Sequence, residues 1–155
     1  MKIRIMERED LLKASLVHKE AFIRQKLSFE WLECTLSAFP RFLSFVVELE
    51  GSVVGYIIWS QKSGFRSEVV LELEQIAVLP KHHGQGAGRE LIEESLPFVR
   101  DHVAKQGSVL KHIIVTTRTD NHAQKLYRST LGAEVEATIV NLYSADEVFM
   151  VARNV

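Results

Sequence analysis

The segment Gln75-Ile-Ala-Val-Leu-Pro-Lys-His-His-Gly-Gln-Gly-Ala-Gly-Arg-Glu-Leu91 decides how the chain is read. It begins as a strand-like run and breaks at Pro80. Three alternating glycines then lead into a helix with Ile92, Leu96, Val99 and Val103 on one face. Gly84, Gly86 and Gly88 have no Cβ, so the amides around them can turn toward an anion and let it approach closely. The helix opening there adds unpaired N–H groups and the positive end of its dipole. The pattern is that of a pyrophosphate cradle. It is not a Walker loop, because the Gly-Lys-Ser/Thr ending is absent and Arg89 follows the last glycine. Nor is it the dinucleotide fingerprint G-x-G-x-x-G, since the spacing here is G-x-G-x-G.

Working outward, Glu68 to Leu79 is the longest strand candidate. Its apolar parity changes from Val69, Leu71 and Leu73 to Ile76 and Val78, which predicts a β-bulge at Glu74 and Gln75. Upstream, Lys2 to Met6 alternates as a strand. Glu9 and Asp10 suit the first turn of a helix whose apolar positions are Leu12, Leu16 and Ile23. Ser28 is placed to cap a second helix through Phe29, Trp31, Leu32 and Leu36, ending before Pro40. Leu43 to Glu50 and Val53 to Ser60 read as a hairpin turning at Gly51-Ser52, followed by a loop over 61–67. Downstream, Pro97 should kink or split the helix after the glycines. Leu110 to Thr117 is a strand, Asp120 to Tyr127 a helix, and 133–143 with Val148 to Arg153 a closing hairpin. The order is strand, two helices, three strands, helix, strand, helix, two strands, a mixed α/β layout.

At 155 residues with 46% hydrophobic content, the chain 1–155 is expected to form a single domain with its own core. The net charge of −1 and the lack of a basic stripe argue against a nucleic-acid partner. No apolar stretch reaches the roughly 18–20 residues of a membrane span, and no cleavable leader is visible, so the expected location is cytoplasmic. Cys34 is the only cysteine; beside Trp31, Leu32 and Glu33 it is expected to be a small core residue rather than a nucleophile. Lys81-His82-His83 places two adjacent ligands on a loop without a third, so no metal is expected.

The string Val78-x-Pro80-x-x-His83-Gly84-x-Gly86-x-Gly88-x-x-Leu91, followed by Asp120-Asn-His-Ala-Gln-Lys-Leu-Tyr127 and Leu131-Gly132-Ala133, resembles the GNAT superfamily of N-acetyltransferases over most of the chain. The resemblance implies a mixed, mostly antiparallel sheet of six to seven strands, splayed between strands four and five and flanked by about four helices. It further implies an acyltransferase that moves an acetyl group from acetyl-CoA to a primary amine by direct transfer in a ternary complex. His83 stands where the family usually has Arg or Gln. Asn121 and Ala123 are one residue closer, and Tyr127 and Leu131 one residue farther apart, than the family's usual spacing. Either Asp120 takes the asparagine's place or the helix register slips by one.

On this resemblance the cofactor-binding residues are Ile76, Ala77, Val78, His83, Gly84, Gln85, Gly86, Ala87, Gly88, Arg89, Asn121 and Tyr127. Backbone groups of Ile76 to Val78 pair with pantetheine as a strand would, and an N–H there donates to the developing oxyanion. Glu74 is the candidate base for the amine, with Glu72 in reserve, and Tyr127 the acid for the thiolate. The connection Arg24-Gln-Lys-Leu27 would border the acceptor, which is a small amine, an amino acid, an aminoglycoside-like compound or a peptide N-terminus. Many members of the family pair, so a homodimer through Trp59, Phe65, Phe149 and the edge of the last strand is expected. The alternatives are a catalytically silent CoA-binding sensor or assembly domain and, disfavoured by the glycine spacing, a nucleotide-binding domain.

Overall fold

The computed structural model describes residues 1–155. The elements are β1 (Lys2–Ile5), α1 (Leu11–Ala21), α2 (Ser28–Ser37), β2 (Phe42–Leu49), β3 (Ser52–Gln61), β4 (Glu68–Val78), α3 (Ala87–Lys105), β5 (Val109–Arg118), α4 (Ala123–Leu131), β6 (Glu134–Ile139) and β7 (Glu147–Arg153). Short 3-10 turns at Arg8–Asp10 and Pro80–His82 precede α1 and the glycine turn. The strands run in the order β1-β2-β3-β4-β5-β7-β6. Pairing is antiparallel for β1–β2, β2–β3, β5–β7 and β6–β7, and parallel for β4–β5. The parallel ladder runs from Glu68↔Val109 to Glu72↔Ile114 and ends there, leaving the rest of β4 splayed from β5. The expected mixed sheet with a splay between its fourth and fifth strands is therefore present.

Contacts along the chain fall into two compact units. The first comprises Met1–Ser60 and Gln75–Val99. Here β1, β2 and β3 form a meander, with Ile3 opposite Val47 and Val46 opposite Tyr56. Helices α1 and α2 cover one face through Met6, Leu11, Ala14, Val17, Leu32, Val46, Tyr56, Ile58 and Ala77. Burying a large apolar side chain is worth about 1.5–3 kcal/mol, against about 0.5–1.5 for a typical hydrogen bond, so this packing dominates the placement of the helices. On the opposite face Trp59 donates to Ser95 Oγ at 2.9 Å, and Phe45 meets Phe98 of α3 at 6.0 Å between ring centroids. Gly55 has no room for a side chain: a Cβ would lie 2.7 Å from the Ala77 carbonyl oxygen.

Several expectations change in this unit. The buried stripe of α1 is Leu11, Ala14, Val17 and His18, whereas Leu12, Leu16 and Ile23 are exposed. Both sets recur at helical spacing, and the core takes Leu11, Ala14 and Val17. Arg4 clamps Asp10 with two bonds of 2.7 and 2.8 Å and reaches Glu48 at 2.7 Å, holding the turn that feeds α1. Ser28 does not cap α2, since Leu27 occupies the cap position with φ 54° and Ser28 Oγ bonds His18 instead. Cys34 is exposed rather than in the core. Trp59 is fully buried, which removes it from any surface contact. Pro97 does not split α3, which runs from Ala87 to Lys105; Pro97 lies on the exposed face, where water can satisfy the carbonyl its missing amide leaves.

The second unit comprises Gln61–Glu74 and Arg100–Val155. The first half of β4 lies beside β5, and β5 pairs with β7 from His112↔Arg153 to Arg118↔Glu147. The last strand is thus internal, and β6, exposed at all six positions, flanks it. β6 ends at Ile139, earlier than the pattern predicted, because the turn already starts at Val140 and Asn141 donates its N–H to Asp146 Oδ1 at 3.0 Å.

Candidate active site

The approach to α3 is built by short-range geometry. Beyond the splay, Leu79 donates its N–H to the Val54 carbonyl at 2.8 Å, which holds the end of β4 against β3. Pro80 then starts the 3-10 turn, and Gly84 and Gly86 take φ of 75° and 89°. These angles lie in the left-handed region that glycine alone adopts without strain. No atom comes within 4 Å of where a Cβ would be at either residue, so the space over the turn is open. Gly88 differs, since it already lies in α3. The amides at the start of α3, Gly86 to Arg89, precede the first i→i−4 bonds, as Glu90 N–H is the donor to Gly86 O at 3.0 Å. An anionic group fits such a turn.

The side chains around it are directed elsewhere. His83 Nε2 bonds the Val78 carbonyl at 2.7 Å, folding back on the strand end. Gln85 donates to the Lys81 carbonyl at 3.4 Å, and Arg89 pairs with Glu93 at 2.8 Å one helical turn on. An anion at this turn would therefore be met mainly by backbone amides.

Burial along β4 alternates without a break: Val69, Leu71, Leu73, Gln75 and Ala77 are buried and Val70, Glu72, Glu74, Ile76 and Val78 half-buried. The change of apolar parity in the sequence is therefore not a reversal of faces. Gln75 occupies a buried position, and Ile76 and Val78 share the face of Glu72 and Glu74. The irregularity in the β4–β5 register sits earlier, between Val69 and Val70.

Gln75 is the centre of a polar chain that sequence reasoning missed. Its Oε1 accepts from Tyr56 Oη at 3.0 Å and Trp31 Nε1 at 3.2 Å, and its Nε2 donates to Gln25 Oε1 at 3.4 Å. Gln25 Oε1 also meets His18 Nε2 at 2.9 Å, and His18 Nδ1 meets Ser28 Oγ at 2.8 Å. His18 is fully buried. Burial lowers its pKa from the ordinary 6.5, opposed by the Gln25 bond. Two signals were legible: a glutamine at a buried parity position of a strand, and a histidine on the Leu11, Ala14, His18 stripe.

In the second unit, Asn121 secures the start of α4. Its Oδ1 accepts the Ala123 N–H at 2.9 Å and its Nδ2 donates to Thr117 Oγ1 at 2.8 Å. Asp120 instead pairs with Arg118 at 3.1 Å. Asparagine thus keeps its place at the helix start, and α4 begins at Ala123 rather than at Asp120. Tyr127 is 5% exposed, and burial pushes its phenol up to about 12. Leu131, one turn on, is buried with it, and Gly132 closes α4 with φ 70°. Glu74 is half-buried with its Oε2 sealed from solvent. Glu147, the first residue of β7, is buried, and desolvation raises its pKa while Arg118 lowers it. No group of three or more His, Cys, Asp or Glu is arranged to hold a metal ion.

A parallel pair that parts ahead of a glycine turn and a helix N-terminus is the layout that the resemblance to N-acetyltransferases implies. The model of the Acetyltransferase (GNAT) family matches residues 9–133, and the chain belongs to that family. No curated protein sequence matches. Among solved structures, the ribosomal-protein-alanine N-acetyltransferase of Brucella melitensis is 22% identical with a TM-score of 0.78, covering 99% of each chain. An aminoglycoside 6'-N-acetyltransferase complexed with coenzyme A is 15% identical, with a TM-score of 0.77 over 100% of this chain and 98% of that one. A Vibrio cholerae and human chimera of spermidine N-acetyltransferase is 22% identical, with a TM-score of 0.76 over 99% and 97%. At these identities the likeness is one of fold.

Proposed function

We propose that this chain transfers the acetyl group of acetyl-CoA directly to a primary amine within a ternary complex. The observation that carries the reading is the β4 segment released from β5 after Glu72, continuous with the open turn at Gly84 and Gly86 and the first amides of α3. A released strand has backbone donors and acceptors for the amides of pantetheine, and the turn has amides for the pyrophosphate. In the reaction the amine's lone pair attacks the thioester carbonyl, whose oxygen is stabilised by an N–H within Ile76 to Val78. The C–S bond then breaks and coenzyme A leaves as the thiolate. Glu74 takes the amine's proton, directly or through water. Tyr127, with a pKa well above that of a thiol, serves the thiolate by donating a hydrogen bond.

The acceptor classes stay those of the sequence reading, namely small amines, amino acids, aminoglycoside-like compounds and peptide N-termini. The exposed thiol of Cys34 suits a reducing compartment and hence the cytoplasm. A second copy would pair along the β6 edge, since Trp59 is buried and β7 is internal.

The test is thiol release from acetyl-CoA with spermidine, an aminoglycoside and a peptide beginning with alanine. Amine-dependent release is expected from at least one. Saturable acetyl-CoA binding without release from any amine would favour the silent CoA-binding alternative.

A further inference from the structure

The polar chain running from Ser28 through His18, Gln25 and Gln75 to Trp31 and Tyr56 links five parts of the first unit: α1, the connection 22–27, the splayed half of β4, α2 and β3. Its direction is fixed by chemistry. An indole N–H only donates, so the Gln75 atom beside Trp31 is the oxygen, and its amide nitrogen is turned toward Gln25. Gln25 must then present its oxygen. That oxygen receives a second donor from His18, whose Nε2 carries the proton while Nδ1 accepts from the Ser28 hydroxyl. One carbonyl oxygen on the connection thus ties together a residue of α1 and a residue of β4.

Phe22 anchors the start of the connection, packed against the core and 5.1 Å from the His18 ring; beyond it little else holds the segment. Ile23, Arg24, Gln25, Lys26 and Leu27 are all exposed, and Leu27 sits at φ 54°, a conformation that a leucine adopts only under constraint. Its backbone bonds are local, from Phe22 to His18 and from Gln25 to Phe22. Gln75, in contrast, is 8% exposed and directly precedes Ile76, where the proposed oxyanion donors begin.

We propose that Gln75 is a positioning residue which, through Gln25 and His18, pins the connection 22–27 against the splayed half of β4, so that the acceptor side of the site is ordered before the amine binds. This rests on the transfer reading above for its consequence, but not for the pinning itself. What the chain requires of residue 25 is an acceptor oxygen, and what it requires of residue 75 is an oxygen and a donor together. Glutamate at 25 can serve both donors; alanine at 25 or leucine at 75 breaks the link. Neutral His18 fits the same scheme, since burial disfavours its imidazolium and no charged side chain shifts it.

The experiment measures amide hydrogen exchange of residues 22–28, acetyl-CoA affinity by titration, and steady-state rates with the same three amines for Gln25→Ala, Gln25→Glu and Gln75→Leu. Exchange over 22–28 should speed up by about tenfold or more in Gln25→Ala and Gln75→Leu and stay near wild type in Gln25→Glu, with acetyl-CoA affinity unchanged. For any amine that is turned over, KM should rise in the two broken variants while kcat holds, and Gln25→Glu should restore it. Should Gln75→Leu fail to fold, Gln25→Ala, on an exposed connection, decides alone. Unchanged exchange in Gln25→Ala, or a Gln25→Glu variant as loose as the alanine, overturns the pinning. If no amine is turned over by wild type, the transfer reading fails, and the exchange rates still support or overturn the pinning by themselves.

Discussion

Replacing Gly86 with valine separates cofactor binding from folding. With acetyl-CoA at about 100 times its Kd, binding to the folded state alone stabilises it by about 2.7 kcal/mol. For a chain of this size that raises Tm by roughly 5–10 °C. Gly86 has φ 89° and open space around it, so valine meets no clash and its penalty is one of backbone conformation, about 1–3 kcal/mol. The same strain turns the amides, and the branched side chain fills the space an anion needs. If affinity falls 100-fold, the same ligand concentration adds only RT ln 2, about 0.4 kcal/mol, or roughly 1–2 °C. Gly51→Val is the control, because Gly51 has φ 75°, equally open surroundings and a place in the β2–β3 turn. It should lose similar stability yet keep the full shift. Differential scanning fluorimetry with and without acetyl-CoA reads both, with ATP and NAD as ligands expected to give no shift. An undiminished acetyl-CoA shift in Gly86→Val would refute the placement of the phosphates at this turn.

Tyr127→Phe should lower kcat by about 10- to 1000-fold while acetyl-CoA still binds in titration; wild-type turnover would remove the phenol from the reaction. Because burial pushes that phenol up to about 12, its ionisation should leave no descending limb in the rate profile below about pH 10. Glu74→Gln should depress kcat/KM most at low pH and recover part of it as rising pH supplies neutral amine, so a uniform loss at every pH would speak against a base at this position. His18 titrates below its ordinary 6.5 in the fold, so the unfolded chain binds more protons and stability rises with pH in that range. Its contribution is present above about pH 6.5 and is lost as pH falls through the folded value; urea midpoints across that range should slope less in His18→Asn than in wild type.

What is legible in the sequence is set by short-range rules. The glycine turn, the helix after it, the β2–β3 hairpin and the order of elements all follow from propensity, periodicity and residues a few positions apart. Sequence and structure part where a tertiary contact chooses between two local patterns of equal quality. On α1 the rows Leu12, Leu16 and Leu11, Ala14, His18 both repeat at helical spacing, and the second is the one packed inward, with the Arg4 clamp on Asp10 holding the turn before it. At Ser28 a good capping residue is diverted to His18, leaving Leu27 in a left-handed cap. The last strand reads as an edge because chain order says nothing of the insertion of β7 between β5 and β6.

The candidate site divides along the same line. Binding an anion through a turn is a property of the backbone, and the residues that permit it, Gly84 and Gly86, are visible as letters in the chain. The proposed ordering of the acceptor side depends on side chains that meet from distant positions, such as Gln75 with Trp31 across 44 residues and with Gln25 across 50. The sequence carries a trace of this meeting as a break in apolar parity on β4, which by local rules alone reads as a bulge of the backbone. The alternation of burial through Gln75 gives it a different cause: a polar side chain placed in the interior because donors from α2 and β3 and an acceptor from the 22–27 connection converge on it. A buried amide left without those partners would cost about 1–3 kcal/mol for each unmet group; Trp31 and Tyr56 serve the Gln75 oxygen, and the connection supplies the acceptor for its amide nitrogen. On the proposed reading, the strand that would receive the cofactor is thereby tied, one residue before Ile76, to the segment that would receive the amine.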